Sequence, residues 1–510
     1  MNIHKNSSIY YRGASIAAGI NPIRLNIDMN LTPYRCNIKK FQYNKIDDKN
    51  KTIPLLTSSG GIRFDNQQNF IFDNYKIKTY NPTDAKIFNV LFKKPLIKEG
   101  LFTSDLTING SVETPSAFGT FNIFGVNAPF LDATINDISC VFKNKTTDIK
   151  VTGDILQNKI NFSANVENRL TAPYVINKAD LYLGNFNINT FLSELDKINL
   201  EDFDRVNPVN KEDISGFDIK NLTIKSLNIK ANSVYVRNLF ASDFNADISL
   251  VNGLFKLENL NFITAEGLIK GNLEYNLRNY KMNSKLILEK INANLISEAL
   301  FDIKNQIYGD LSGETRLSCE GKTHKECMKT LKGDCKFSVI NGKMPKLGSL
   351  EYLLKSSNII RSGLTGLSLN NIIEILTPIK TGDFESIKGH FTIEGGHTPD
   401  INITSKGKDL SIFISGEYNF PTSIANLEIY GRLAKQATNK LGKFGNISIN
   451  SILDSIPGIH LESVRKAEII RLINKFPGIE LNTNEYRIFF VKLDGNMETE
   501  DVHKIFKWLD

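Results

Sequence analysis

The feature that most constrains this chain is alternation. Apolar and polar residues trade places with period two over most of its length, the pattern of strands with one dry face and one wet face. Leu222, Ile224 and then Leu227, Ile229 alternate with Lys and Asn. Phe244, Ala246, Ile248 and Leu250 share a second face, and Ile269, Gly271, Leu273, Tyr275 and Leu277 a third; Leu286 and Leu288 continue the pattern. AsnGly pairs at Asn109–Gly110, Asn252–Gly253 and Asn341–Gly342 fall among these runs, where tight hairpins need positive φ. The pattern predicts a mainly β protein, an elongated, twisted antiparallel sheet forming an apolar groove, with a few amphipathic helices in the C-terminal third.

Two stretches read alike. Gly153 to Leu195 runs strand, turn, strand, an Asn-rich step and a short apolar segment, and Gly271 to Leu300 runs the same way. A unit recurring about every 110 residues suggests a sheet grown by duplication. Helical spacing is confined to residues 323–331, to 345–377 and to a stretch from Ile452 to Lys475. The expected organisation is a β-rich repeat-like region over 1–195, a linker at 196–216, a β-groove region over 217–433, and a C-terminal helical segment with a terminal strand over 434–510. In that last part Ile505, Phe506, Trp508 and Leu509 form an apolar end.

Composition narrows the function classes. In 510 residues, 41% hydrophobic and 23% charged, the net charge of +7 is spread as isolated Lys rather than gathered in a nucleic-acid-binding patch. The longest charge-free window, Thr114 to Leu131, is interrupted by Pro115, Gly119, Gly125 and Pro129 and reads as strand rather than membrane span. The N-terminal apolar stretch stops at Asn21 and Pro22, short for a signal peptide. No phosphate-cradling Gly loop, HExxH, GxSxG or CxxC motif occurs, so no catalytic residue, metal or cofactor is assigned. Asp383, Glu385 and Glu394 are the one acidic set an enzyme reading would examine. His390 and His397 bracket a strand and read as turn residues.

Five cysteines are too few for a disulfide scaffold. For the group Cys319, Cys327 and Cys335 three readings stay open: small apolar residues on an inward face, a disulfide from Cys319 to Cys335 or to Cys327, or, with His324, a metal site.

A one-sided apolar sheet must be covered. Either the sheet packs on itself as a two-layer protein, or its dry face lines a groove filled from outside, for which acyl chains are suited. Leu222, Ile224, Phe244, Ile248, Leu250, Ile269, Leu273, Tyr275, Leu286 and Leu288 are the candidate lining residues.

Several segments, taken in order, resemble the AsmA-like family of bacterial envelope proteins. They are Leu222 to Leu295, with its AsnGly at 252–253; residues 331–339 with the following AsnGly; and residues 381–396, 410–418 and 427–433. The resemblance implies a non-enzymatic periplasmic protein associated with the inner membrane, assisting phospholipid traffic to the outer membrane or outer-membrane assembly. Its partners would be phospholipids and membrane assembly proteins. On that resemblance the chain is expected to correspond to the C-terminal portion of such a protein, lacking the family's N-terminal anchor. The competing expectation is a structural or adhesive β-rich envelope protein with no lipid ligand.

Overall fold

In a computed structural model, the structure describes residues 22–64, 70–91, 97–111, 114–128, 132–169, 172–195, 221–343 apart from 237, 302–304 and 306, 383–435 apart from 409 and 423, 485–496 and 502–508, with short strands at 2–3, 8–11 and 14–17. The chain is mainly β, and among the described residues 25 strands are joined by hydrogen bonding into one sheet. Two compact units divide it: residues 1–235 with 244–255, and residues 236–243 with 256–510.

The first unit opens with β1 (Asn2–Ile3), the separate hairpin of β2 (Ser8–Tyr11) and β3 (Ala14–Ala17), then β4 (Ile23–Thr32), β5 (Arg35–Ile46), β6 (Thr52–Phe64), β7 (Phe70–Thr79) and β8 (Thr83–Asp84). A 3-10 turn at Ala85–Leu91 leads to β9 (Glu99–Ser111), β10 (Ser116–Ala128), β11 (Ala133–Asn144), β12 (Thr146–Ile155), β13 (Asn158–Glu167) and β14 (Tyr174–Asn187). Helix α1 (Ile188–Leu195) and β15 (Leu222–Val236) follow; β16 (Leu239–Val251) is divided between the units at residue 244, and all but the first two residues of β17 (Leu254–Thr264) belong to the second. From β9 to β14 every strand pairs antiparallel with its sequence neighbour, whereas β15 runs parallel to β14. A parallel step needs a crossover; the connecting residues 196–220, which include the expected linker, lie outside the described residues.

The second unit continues with β18 (Gly267–Asn276), β19 (Lys281–Asn292), α2 (Ala293–Phe301), β20 (Tyr308–Glu320), α3 (His324–Thr330), β21 (Lys332–Lys343), β22 (Asp383–Ile393), β23 (His397–Lys406), β24 (Leu410–Asn419), β25 (Ile424–Ala434), β26 (Tyr486–Asn496) and β27 (Val502–Trp508). Each strand from β18 to β27 pairs antiparallel with the next. Helix α3 fulfils the expectation at 323–331, while the helices expected at 345–377 and after 451 lie outside the described residues. The apolar end is a strand, with Phe506 in register opposite Val491 and Trp508 opposite Phe489.

The repeat has a structural counterpart. Strands β13 and β14 lead into α1 as β18 and β19 lead into α2, and an asparagine starts each helix. Asn187 Oδ1 accepts from the Thr190 amide at 3.1 Å, and Asn292 Oδ1 accepts from the Asn294 and Leu295 amides at 3.1 and 3.3 Å. These bonds satisfy donors that a helix start otherwise leaves open. The residue before each cap packs on the helix: Phe186 stacks at 5.2 Å on Phe191, and Ile291 meets Ile296 in a buried cluster.

Two turn assignments need correction. Asn252 (φ 54°) and Gly253 (φ 76°) do form the two-residue turn between β16 and β17. Asn341 (φ 51°) and Gly342 sit instead inside β21, at a register shift against β20, and Asn109–Gly110 lies at the end of β9. An AsnGly pair supplies the left-handed conformation that a bulge also uses, so the dipeptide alone cannot separate the two.

Candidate functional site: the apolar face of the sheet

Residues directly opposite one another on paired strands share a face. In the second unit the registers therefore link Ile269, Leu288, Gly313, Phe337, Gly389, Ile403, Ile414 and Ile429 into one row across eight strands. A neighbouring row runs Gly271, Leu286, Thr315, Cys335, Phe391, Ile401, Gly416, Leu427, Leu493. The first unit has the same construction, with Phe102, Ile123, Ile138, Val151, Phe162, Leu181 and Ile229 in one row.

Seven of the ten candidate residues are placed by strand register and three by parity along β16. Leu222 and Ile224 stand opposite Tyr174 and Ile176; Leu273 and Tyr275 stand opposite Ser284 and Met282; Ile269, Leu286 and Leu288 lie in the rows above. Asn228 of β15 donates to Asn245 and Asp247 of β16 at 3.2 and 2.7 Å on the polar side, which leaves Phe244, Ile248 and Leu250 together on the other. Leu250 and Ile269 are buried, and the other eight are half-buried. The list omitted equivalent positions: Phe337, Phe391, Ile401, Ile403, Ile414 and Leu427 extend the face toward the C-terminus, and their own alternation was the signal.

Two helices pack on this face at opposite ends of β20. At one end Ile296 of α2 is buried against Ile269 and Ile291, with Leu286, Leu288 and Leu311 around them. At the other, Cys327 and Met328 of α3 pack against Cys319, Leu331 and Ile393. Thr323 and Glu326 form a capping box there: Thr323 Oγ1 accepts from the Glu326 amide at 3.2 Å, and the Lys322 amide donates to Glu326 Oε2 at 2.9 Å.

Of the two disulfide partners left open for Cys319, the structure has Cys327 and not Cys335. Register explains it: Cys335 stands opposite Thr315, four residues from Cys319, whereas α3 folds Cys327 back over the end of β20. Cys335 keeps a thiol, 3.0 Å from Thr315 Oγ1. Burial raises its pKa, an effect the Thr315 hydrogen bond partly offsets.

The opposite face is a lattice of charge. Lys256 meets Glu274 at 2.8 Å, Lys270 meets Glu289 at 2.9 Å, and Glu314 is shared by Lys285 and Arg316 at 3.2 and 2.7 Å. His390, read from sequence as a turn residue, lies inside β22 on this face, its Nε2 2.7 Å from Asp334 Oδ2; only His397 borders the turn. A depression of about 560 Å³ in the second unit is lined by Glu274, Lys285, Arg316 and Asp334 and so belongs to this charged side. Asp383 and Glu385 lie at one end of β22 and Glu394 beyond the other, so the three do not come together; Glu385 is bound to Lys406 at 3.3 Å and Asp383 to Lys343 at 4.0 Å. Among the described residues no group of three or more His, Cys, Asp or Glu could hold a metal, and no helix is long and apolar enough to cross a membrane.

Compared with protein-family models, curated proteins and solved structures, the chain matches none.

Proposed function

We propose that this protein is a non-enzymatic envelope factor that holds the acyl chains of phospholipids against its apolar sheet face, assisting lipid movement between inner and outer membrane or outer-membrane assembly. The observation that carries the reading is the continuity of the apolar rows from strand to strand. Branched aliphatic and aromatic side chains stand in register with no charged residue across eight strands of the second unit. Such a surface suits a ligand that is long, apolar and indifferent to its exact position, as an acyl chain is. The charged lattice on the other face keeps that side in water, and the helices at the two ends of β20 give the face boundaries across the strands. In this reading the chain works in the periplasm beside the inner membrane, with phospholipids and membrane assembly proteins as partners, as the resemblance to the AsmA-like family implies.

The test is lipid content. Protein purified from cells with gentle detergent, then stripped of it, should carry phospholipid detectable by mass spectrometry. Leu273→Asp, on the dry face, should lower that load several-fold, and Asn272→Asp, one residue along on the wet face, should leave it unchanged. Lipid-free wild-type protein, or equal loads in the two variants, would favour the structural or adhesive reading instead.

A further inference from the structure

We infer that the Cys319–Cys327 disulfide is a reducible latch that holds α3 over one end of the apolar face of the second unit. The inference concerns the helix itself and stands whatever ligand the face takes.

Helix α3 has seven residues, too short to be stable alone in water. Among the described side chains of the helix, Cys327 and Met328 join the cluster beneath, which contains Cys319, Leu331 and Ile393 with Leu317 and Phe391 beside them. Hydrogen bonds at solvent-exposed ends add to this: the bonds around Thr323, and Thr330 Oγ1, which donates to the Glu320 carbonyl at 2.7 Å and accepts from the Glu320 amide at 2.8 Å; beyond the helix the Gly396 amide donates to the Leu331 carbonyl at 2.8 Å. The one covalent tie is in the middle of the helix. It joins the more accessible Cys327 to Cys319, which is only 6% exposed. Cutting it leaves a marginal helix on exposed hydrogen bonds, above a patch of buried apolar residues.

The chemistry balances with a dithiol as reductant. One of its thiolates attacks Cys327 Sγ, the Sγ–Sγ bond breaks, and Cys319 leaves as a thiolate that takes up a proton. The second thiol then displaces Cys327, so the dithiol becomes a cyclic disulfide and both protein sulfurs end as thiols. Oxidation of the pair reverses the sequence.

Hydrogen exchange of the whole chain, before and after dithiothreitol, tests this directly. Reduction should speed exchange of the α3 amides and of Leu331 roughly tenfold or more, should increase binding of an environment-sensitive apolar dye, and should leave β22 to β24 protected. The double variant Cys319→Ala/Cys327→Ala should match reduced wild-type protein without any reductant. Exchange in α3 that is unchanged by reduction would overturn the inference. So would loss of protection throughout the second unit, which would make the disulfide a requirement of the fold, or five free thiols in the protein as isolated under non-reducing conditions.

Discussion

The ring of Phe337 lies across the backbone of Gly389, its register partner on the next strand: a methyl group placed on Gly389 would overlap the ring. The contact puts the bulk of one strand into the space its neighbour leaves empty, on the same face that carries the apolar rows. Gly389→Ala should therefore cost about 1–3 kcal/mol by overpacking, and Gly389→Ala combined with Phe337→Ala should cost less than the two single changes together. Urea denaturation of the four proteins, read as a double-mutant cycle, measures the coupling.

The asparagine caps predict a matched pair of effects. Asn187→Ala and Asn292→Ala should each destabilise by about 1 kcal/mol, whereas Asn187→Asp and Asn292→Asp, which keep an acceptor oxygen, should be close to neutral. Chemical denaturation read by circular dichroism checks both, and a large loss at one cap alone would count against the repeat as a structural unit.

The charged face makes stability fall in acid. The hydrogen bond from His390, reinforced by the Lys336 charge, holds the Asp334 carboxyl below its ordinary pKa; Lys285 and Arg316 do the same for Glu314, and Lys143 and Asn165 for Asp148. A carboxylate lowered on folding contributes stability that is present above its unfolded pKa of about 4 and is lost as pH falls through the lower folded value. Unfolding free energy measured between pH 7 and pH 2 should thus decline below about pH 4, and the decline should be shallower in Asp334→Asn. Because these groups are largely exposed, high salt should reduce the difference between variant and wild type.

Thiol chemistry should separate the five cysteines. Burial, with Asp137 adding to it, raises the pKa of Cys140, and burial raises that of Cys335. Alkylation at pH 8 should be slow at both in the folded protein and fast after denaturation. Without reductant, denatured protein should take up label at Cys36, Cys140 and Cys335 only; a peptide map showing label at Cys327 would contradict the assigned pair.

Much of this was legible before any coordinates, because a period of two places side chains on faces without knowledge of partners. The alternation groups Phe244 with Ile248 on one face of β16 and Ile269 with Leu273 on one face of β18, whatever strand lies beside them. What the pattern could not carry was adjacency. The Cys319–Cys327 bond depends on how a seven-residue helix turns back over its preceding strand, a long-range outcome of the capping box and of Leu331, and three cysteines in one stretch admit more than one pairing. The place of His390 was hidden for a related reason: a histidine beside a glycine looks like a turn locally, and only the opposing Asp334 on β21 makes it a strand residue with a partner. The parallel step from β14 to β15 leaves no mark in either strand, since it is set by the connection between them.

In the runs β9 to β14 and β18 to β27 each strand pairs with the one just before it in the chain. Except at the long connections from β21 to β22 and from β25 to β26, partners are close in sequence and loop closure is cheap, so these stretches can be built by adding one hairpin at a time, at speeds more typical of local than of long-range β topologies. Assembly can then keep pace with synthesis, each emerging strand docking on the edge left by the last. The same logic makes strand number adjustable, because removing two adjacent strands between turns restores the polarity of the ladder and leaves every other pairing in place.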